Sequence, residues 1–286
     1  MFHKKIDRAI QGDRIGVCVT QFDPKLLERG IVSSPGFMNS VWAVVANVNK
    51  IGYYKGRYAT KGKFHISILH ETVVAKTTFF KTESKSDKSK FDFDLQYSYA
   101  EEISEDSDPD LYYVLLEFER PVIVNTGALY IASKLDTDIH ANVCRLAFYG
   151  NILTTFSDKH YVQNDLQNIK IFKIKNKEGL VDRISNEYEV IVKNLFKKET
   201  NTQNFVGLKV TLSSGDEGVI DGSFGQSGKV KVRIPNGIKD KSLVTTNSKP
   251  KKGLNESNSN TNYTQIKVLL EFKRFIYDSH KKIIQN

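Results

Sequence analysis

The chain has 286 residues with 42 Lys and Arg against 33 Asp and Glu, 40% hydrophobic and 11% aromatic residues, and two cysteines. No apolar run reaches the roughly 20 residues of a membrane-spanning helix, residues 1–12 lack the apolar core of a secretory leader, and Cys18 and Cys144 form no CxxC pair. Composition therefore argues against a membrane protein, a disulfide framework and a zinc knuckle, and the expectation is a cytoplasmic, also nuclear, location with both cysteines buried. From Lys193 onward 17 Lys and Arg face 8 Asp and Glu, so the whole positive excess falls in the last third, as a module meeting phosphate backbones requires.

Short apolar runs with period-two alternation dominate, which points to an all-β fold of consecutive antiparallel barrels with a minor helix. The first unit, 1–36, has one clear strand at 14–20 after the turn Gln11-Gly12-Asp13. A piece of that length carries about three strands and cannot close a barrel, so more chain is expected upstream. The second unit, 37–168, holds strands at 41–48, 64–69, 111–119 and 142–149, with a break at 82–110 rich in Ser, Lys, Asp and Glu that reads as a mobile loop. The third, 169–286, has strands at 207–212, 229–234 and 266–272. A Lys-, Ser- and Asn-rich stretch at 239–262 reads as disordered, and a helix is expected at 273–284 with Phe275, Ile276, Ile283 and Ile284 on one face. Gly36, Gly150, Gly215 and Gly222 read as turn residues at positive φ.

Several chemistries find no support. His65, His70 and His140 lack the helical spacing of a hydrolytic zinc site, so no metal and no catalytic residue are expected. No GxxxxGK[ST] phosphate loop occurs, and Asn49-Lys50-Ile51-Gly52 lacks the carboxylate that reads guanine, so this chain by itself is not expected to hydrolyse GTP. A thiol enzyme built on Cys144 and His140 fails on its i, i+4 spacing, which on an extended strand does not bring the two side chains together as a reactive pair. What remains is cationic surface. Lys61, Lys63 and His65 alternate and so share one face of a strand, and Lys229, Lys231 and Arg233 alternate with Val230, Val232 and Ile234, giving one basic face and one core face.

Longer runs carry a resemblance. Gln11-Gly12-Asp13-Arg14, Cys18-Val19-Thr20-Gln21-Phe22-Asp23-Pro24-Lys25 and the turn Glu28-Arg29-Gly30 are similar to the end of the second domain of eukaryotic selenocysteine-specific elongation factors, relatives of elongation factor Tu. Thr60-Lys61-Gly62-Lys63-Phe64-His65-Ile66 and His140-Ala141-Asn142-Val143-Cys144-Arg145-Leu146 resemble that family's third domain. Leu195-Phe196-Lys197-Lys198-Glu199-Thr200 and Phe205-Val206-Gly207-Leu208-Lys209-Val210 resemble its fourth. The resemblance implies a part of such a factor that binds selenocysteinyl-tRNA and helps deliver it to the ribosome for UGA recoding. GTP and Mg belong to the full-length parent. It implies Arg14, with His3, in the pocket for the aminoacyl group, where a fixed cation selects an anionic selenolate over a neutral seryl group. Arg57, Lys61, Lys63, His65, His140 and Arg145 would meet the tRNA stem by shape. Lys197, Lys198, Lys209, Lys229, Lys231, Arg233, Lys273, Arg274, Lys281 and Lys282 would meet RNA, or the protein that binds the selenocysteine insertion element. The alternative is a free-standing RNA-binding β-barrel protein derived from an elongation factor.

Overall fold

A computed structural model describes residues 5–26, 28–83, 90–104, 108, 111–136, 138, 140, 142–225, 228–239, 266–279 and 283–285, and the chain divides into compact units Met1–Met38 and Asn39–Asn286. The expected disordered stretch at 239–262 lies outside the described residues apart from Lys239.

The described part of the first unit contains no strand, which corrects the reading of 14–20. Its one helical element is a 3₁₀ turn at Pro24–Leu26. Ile15, Val17 and Val19 keep their alternation but are 44%, 70% and 63% exposed. Alternation makes a strand only when a neighbouring strand supplies the ladder and a core covers one face, and neither is provided by the described residues of this unit. The turn itself forms: Gly12 adopts φ +95°, and the Asp13 N–H donates to the Ile10 carbonyl at 3.1 Å. Cys18 is exposed and Cys144 half-buried, against the expectation of two buried thiols.

The second unit is built from strands. The first barrel uses β1 (Asn39–Asn47), β4 (Lys63–Ile68), β5 (Glu71–Lys81), β8 (Tyr112–Val124), β9 (Leu129–Ser133) and β10 (Leu146–Phe156). They run in the order β5-β4-β9-β10-β1-β8, and β8 pairs back onto β5, so the sheet closes. Short β2 (Asn49–Lys50) extends β10, while β3 (Tyr58–Ala59) pairs with β7 (Glu102–Ile103). Alternate residues face in: Phe64, Ile66 and Ile68 of β4 are buried, and Val73 and Ala75 of β5 with them. Fully buried Phe148 is the hub of this core, its ring 5.2 Å from Phe64, 5.4 Å from Phe79 and 6.0 Å from Tyr130.

The second barrel uses β11 (Lys170–Asn186), β12 (Glu189–Lys193), β13 (Lys209–Leu212), β14 (Glu217–Phe224), β15 (Lys229–Arg233) and β16 (Lys267–Phe275). The order β11-β12-β15-β14-β13-β16 closes where β16 pairs with β11 from Phe172 to Leu180. Its core is Val190, Val192, Val230, Val232, Val268, Leu270 and the rings of Phe196, Phe205 and Phe272.

Three sequence expectations are corrected here. The region 82–110 is not simply a loop: β6 (Gln96–Ala100) pairs antiparallel with β5 and parallel with β11, so one sheet runs through both barrels. Phe91, Leu95 and buried Tyr97 anchor it in a third apolar cluster with Leu115, Leu166 and Ile171. The helix expected at 273–284 is absent among the described residues of that span: Lys273–Phe275 end β16, and β17 (Ile283–Ile284) pairs back on Lys273 and Arg274. The one α-helix among the described residues is α1 (Tyr161–Asn164). Finally, Gly36 and Gly215 do adopt positive φ, whereas Gly150 and Gly222 lie within β10 and β14 without it. No helix of the described residues is long and apolar enough to cross a membrane.

Candidate nucleic-acid interface

On the first barrel, Lys61 is not on the strand with Lys63 and His65. It occupies the preceding turn at φ +69°, with its N–H donating to the Thr77 carbonyl at 2.7 Å. Lys63 and His65 do share the outer face of β4, because Phe64 and Ile66 between them point into the core. That face is not uniformly basic. The Lys63 ammonium lies 2.8 Å from Glu119, and Lys76, its cross-strand partner, lies 3.1 Å from Glu117. His65 aligns with Ser133 of β9, which aligns with Leu146 of β10. This row brings Arg145 close to β4: its carbonyl accepts from the Lys134 N–H at 2.8 Å, while the Lys134 ammonium donates to the Lys63 carbonyl at 2.9 Å. Sequence reasoning missed Lys134. It follows a strand with no charge of its own, so period two gives it no signal. Its hydrogen bond also holds the Asp136 carboxyl below the usual range. Arg57 is exposed in the loop before β3 and His140 on a separate turn, where its N–H donates to Asp138 at 2.9 Å.

On the second barrel β15 alternates as read, with Val230 and Val232 inside and Lys229, Lys231 and Arg233 outside. Acids from neighbouring strands occupy the same face. Asp182 of β11 lies 2.7 Å from Lys229 and 3.4 Å from Lys193, and Glu189 of β12 lies 2.9 Å from Lys231. The Lys229 hydrogen bond is the main reason the Asp182 carboxyl is held below its ordinary pKa. A depressed carboxylate stabilises the fold above the unfolded value of about 4, and that contribution disappears as pH falls through the lower folded value. Asp182→Asn is therefore expected to lower stability at pH 7 by about 1 kcal/mol or less. The gap from wild type should close in urea titrations at pH 3 and below, and a gap independent of pH would refute the assignment.

The other cations are dispersed. Lys197 and Lys198 are exposed beside Lys177, whose ammonium sits 4.9 Å from the Phe196 ring and is pushed down by burial and by Lys197. Lys209 is exposed at the start of β13, and the Lys273 ammonium lies 4.4 Å from the Phe172 ring. Arg274 is exposed on the opposite side of β16 from Phe275. Arg14 is exposed in the coil of the first unit. His3, Lys281 and Lys282 lie outside the described residues.

Residues 45–150 match the family described as the third domain of eukaryotic selenocysteine-specific elongation factors, and residues 167–281 match the eEFSec C-terminal RIFT domain. The chain is 40% identical over 324 aligned residues to the selenocysteine-specific elongation factor of Mus musculus, covering 100% of this chain and 56% of that protein. It is 26% identical over 230 residues to the factor of the same name from Methanocaldococcus jannaschii, covering 79% of this chain and 44% of that one. Two crystal structures of translation elongation factor SelB from Methanococcus maripaludis share the fold. The apo form aligns with a TM-score of 0.52 at 18% identity, and the complex with the GTP analogue GppNHp with 0.54 at 20%; each covers 89% of this chain and 47% of the other. The chain thus spans about half the length of the curated relatives it matches. With both domain families matched in order along two closed barrels, the chain belongs to the family of selenocysteine-specific elongation factors.

Proposed function

We propose that this chain is the tRNA- and RNA-facing portion of a selenocysteine-specific translation factor, which binds selenocysteinyl-tRNA and helps deliver it to the ribosome for UGA recoding in the cytoplasm. The observation that carries this reading is the 40% identity to the mouse factor across the whole chain. The outer face of β15 and the Lys63, His65, Lys134 and Arg145 edge of the first barrel supply cations suited to phosphate and ribose of an A-form helix. The junction near residue 168 separates a third domain from an RNA-facing fourth. The fourth is the natural site for the selenocysteine insertion element and its binding protein. GTP and Mg2+ do not fit the residues present, because no GxxxxGK[ST] loop occurs among them. That chemistry is assigned to the longer parent.

Arg14 is the proposed selector for the selenolate, and it tests the reading. The longer protein should bind selenocysteinyl-tRNA more tightly than seryl-tRNA in a filter assay. Arg14→Ala should lose about 10- to 100-fold of that preference, the worth of one charge-assisted hydrogen bond. Equal affinity of the unaltered protein for the two tRNAs would refute the function, and an unaltered preference in Arg14→Ala would refute the residue.

A further inference from the structure

Where β6, β11 and β16 meet, a cleft of about 300 Å3 is lined by Lys61, Tyr99, Lys173, Lys175, Arg274 and Asp278. Its charge is built into the register. Lys173 and Arg274 are direct partners across the antiparallel pair β11–β16, an arrangement that repels and destabilises a sheet. Their neighbours Phe172 and Phe275 are buried with rings 6.2 Å apart, which leaves the two cations on the other face of the pair, the one that carries Phe272 into the second core. Lys175 joins that face two residues further along β11. The Lys173 ammonium is positioned by the Tyr99 ring, 3.5 Å from its centroid, and its acid partner Glu101, at 3.4 Å, is 86% exposed. Lys61 enters from the strained turn described above, and a non-glycine residue held at positive φ is a conformation the surrounding fold must impose.

Four cations converging on a concave surface focus a positive potential there. Arg274 offers a bidentate fork and the lysines point charges, which is the donor set for phosphate oxygens. A second groove of about 370 Å3 shares Tyr99, Lys173 and Lys175 and runs on past Lys81, with the exposed Glu101 and Glu102 on its wall. Lys61, Lys173, Lys175 and Arg274 come from separate elements around the cleft and Lys81 lies beyond it, a spread wider than one phosphate that favours a polymer over a free anion.

We propose that this cleft is a phosphodiester-binding site that grips an RNA backbone at the seam between the two barrels. The proposal rests on the RNA-binding reading above and is tested separately from it. The full chain, with Lys175→Gln and Arg274→Gln singly and together, is titrated with a fluorescently labelled tRNA over a salt series, with thermal melts in parallel. The double variant should bind about tenfold more weakly, and its slope of log K against log salt should be shallower by about 2, roughly 0.9 for each phosphate no longer neutralised. Its melting temperature should hold or rise, since a like-charge pair has been relieved. Unaltered chain that binds tRNA, with a double variant of the same slope, overturns the cleft and leaves the RNA reading standing. Unaltered chain that binds no tRNA overturns both. Inorganic tripolyphosphate that raises the melting temperature of the unaltered chain but not of the double variant, with tRNA binding the same in both, makes this a free-anion site and overturns the RNA assignment.

Discussion

Gly150→Ala is expected to destabilise the first barrel by about 4 kcal/mol or more, a large share of the 5–15 kcal/mol that holds a typical domain together. A Cβ at this position would stand 2.1 Å from the Asn47 carbonyl oxygen and 2.4 Å from Asn47 Oδ1. Neither atom can retreat freely. The carbonyl accepts from the hydroxyl of buried Tyr130 at 2.8 Å, and Oδ1 accepts from the Asn151 N–H at 2.8 Å. Relief therefore strands the buried Tyr130 hydroxyl, at about 1–3 kcal/mol, and gives up the exposed Asn151 bond, at about 0.5–1.5 kcal/mol, on top of the strain of an overpacked strand. Trp42, the only tryptophan, lies in β1 of this barrel, so its emission in a urea titration reads the effect directly. A midpoint equal to wild type would show that β1 and β10 approach less closely than described.

Phe148→Ala should cost about 3–5 kcal/mol by leaving a cavity at the meeting point of several rings. Edge-to-face pairs of this kind add about 0.5–1.5 kcal/mol each beyond the area they bury, so Phe148→Leu should recover only part of the loss. Tyr53→Ala is the matched control: its side chain is 83% exposed, and a surface truncation of this kind stays within about 0.5 kcal/mol. Equal midpoints for the Phe148 and Tyr53 variants would remove Phe148 from the centre of the core.

Elements whose alternation is clean were legible in the sequence. β4 and β15 place every second residue inside, and their boundaries fall within a residue or so of the reading. β11 was not legible because its ladder is irregular, with register shifts between Val181 and Arg183 and between Ile184 and Asn186 that break the period. β6 was hidden in polar surroundings, since five residues with two tyrosines are too few to outweigh a Ser-, Lys- and Asp-rich neighbourhood. The false helix at the end has a simple origin. Ile283 and Ile284 lie at a helical distance from Phe275 and Ile276 in sequence, yet they reach the same place by a reversal of the chain. Residues 14–20 show the opposite failure, a sound strand pattern without a partner strand.

The candidate interface was legible as a set of cations and not as a field. Glu117 and Glu119 sit more than 40 residues from the lysines they meet, Lys76 and Lys63, and Asp182 is 47 residues from Lys229. Only the closed sheets bring such pairs together. The seam cleft depends in the same way on a register, Lys173 against Arg274, that no local pattern encodes.

The pairing of β16 with β11 also sets an order of events for a nascent chain. Strands β11 to β15 are complete by Arg233, but the nine-residue ladder from Phe172 to Leu180 has no partner until Lys267–Phe275 have been synthesised. Translation proceeds at about 5–20 residues per second, so for several seconds the second barrel stays open along β11. A row of unsatisfied amides and carbonyls of that length is a template for pairing with another chain. A message truncated between residues 234 and 266 would make that interval permanent, so its product should aggregate rather than accumulate as a shorter soluble protein.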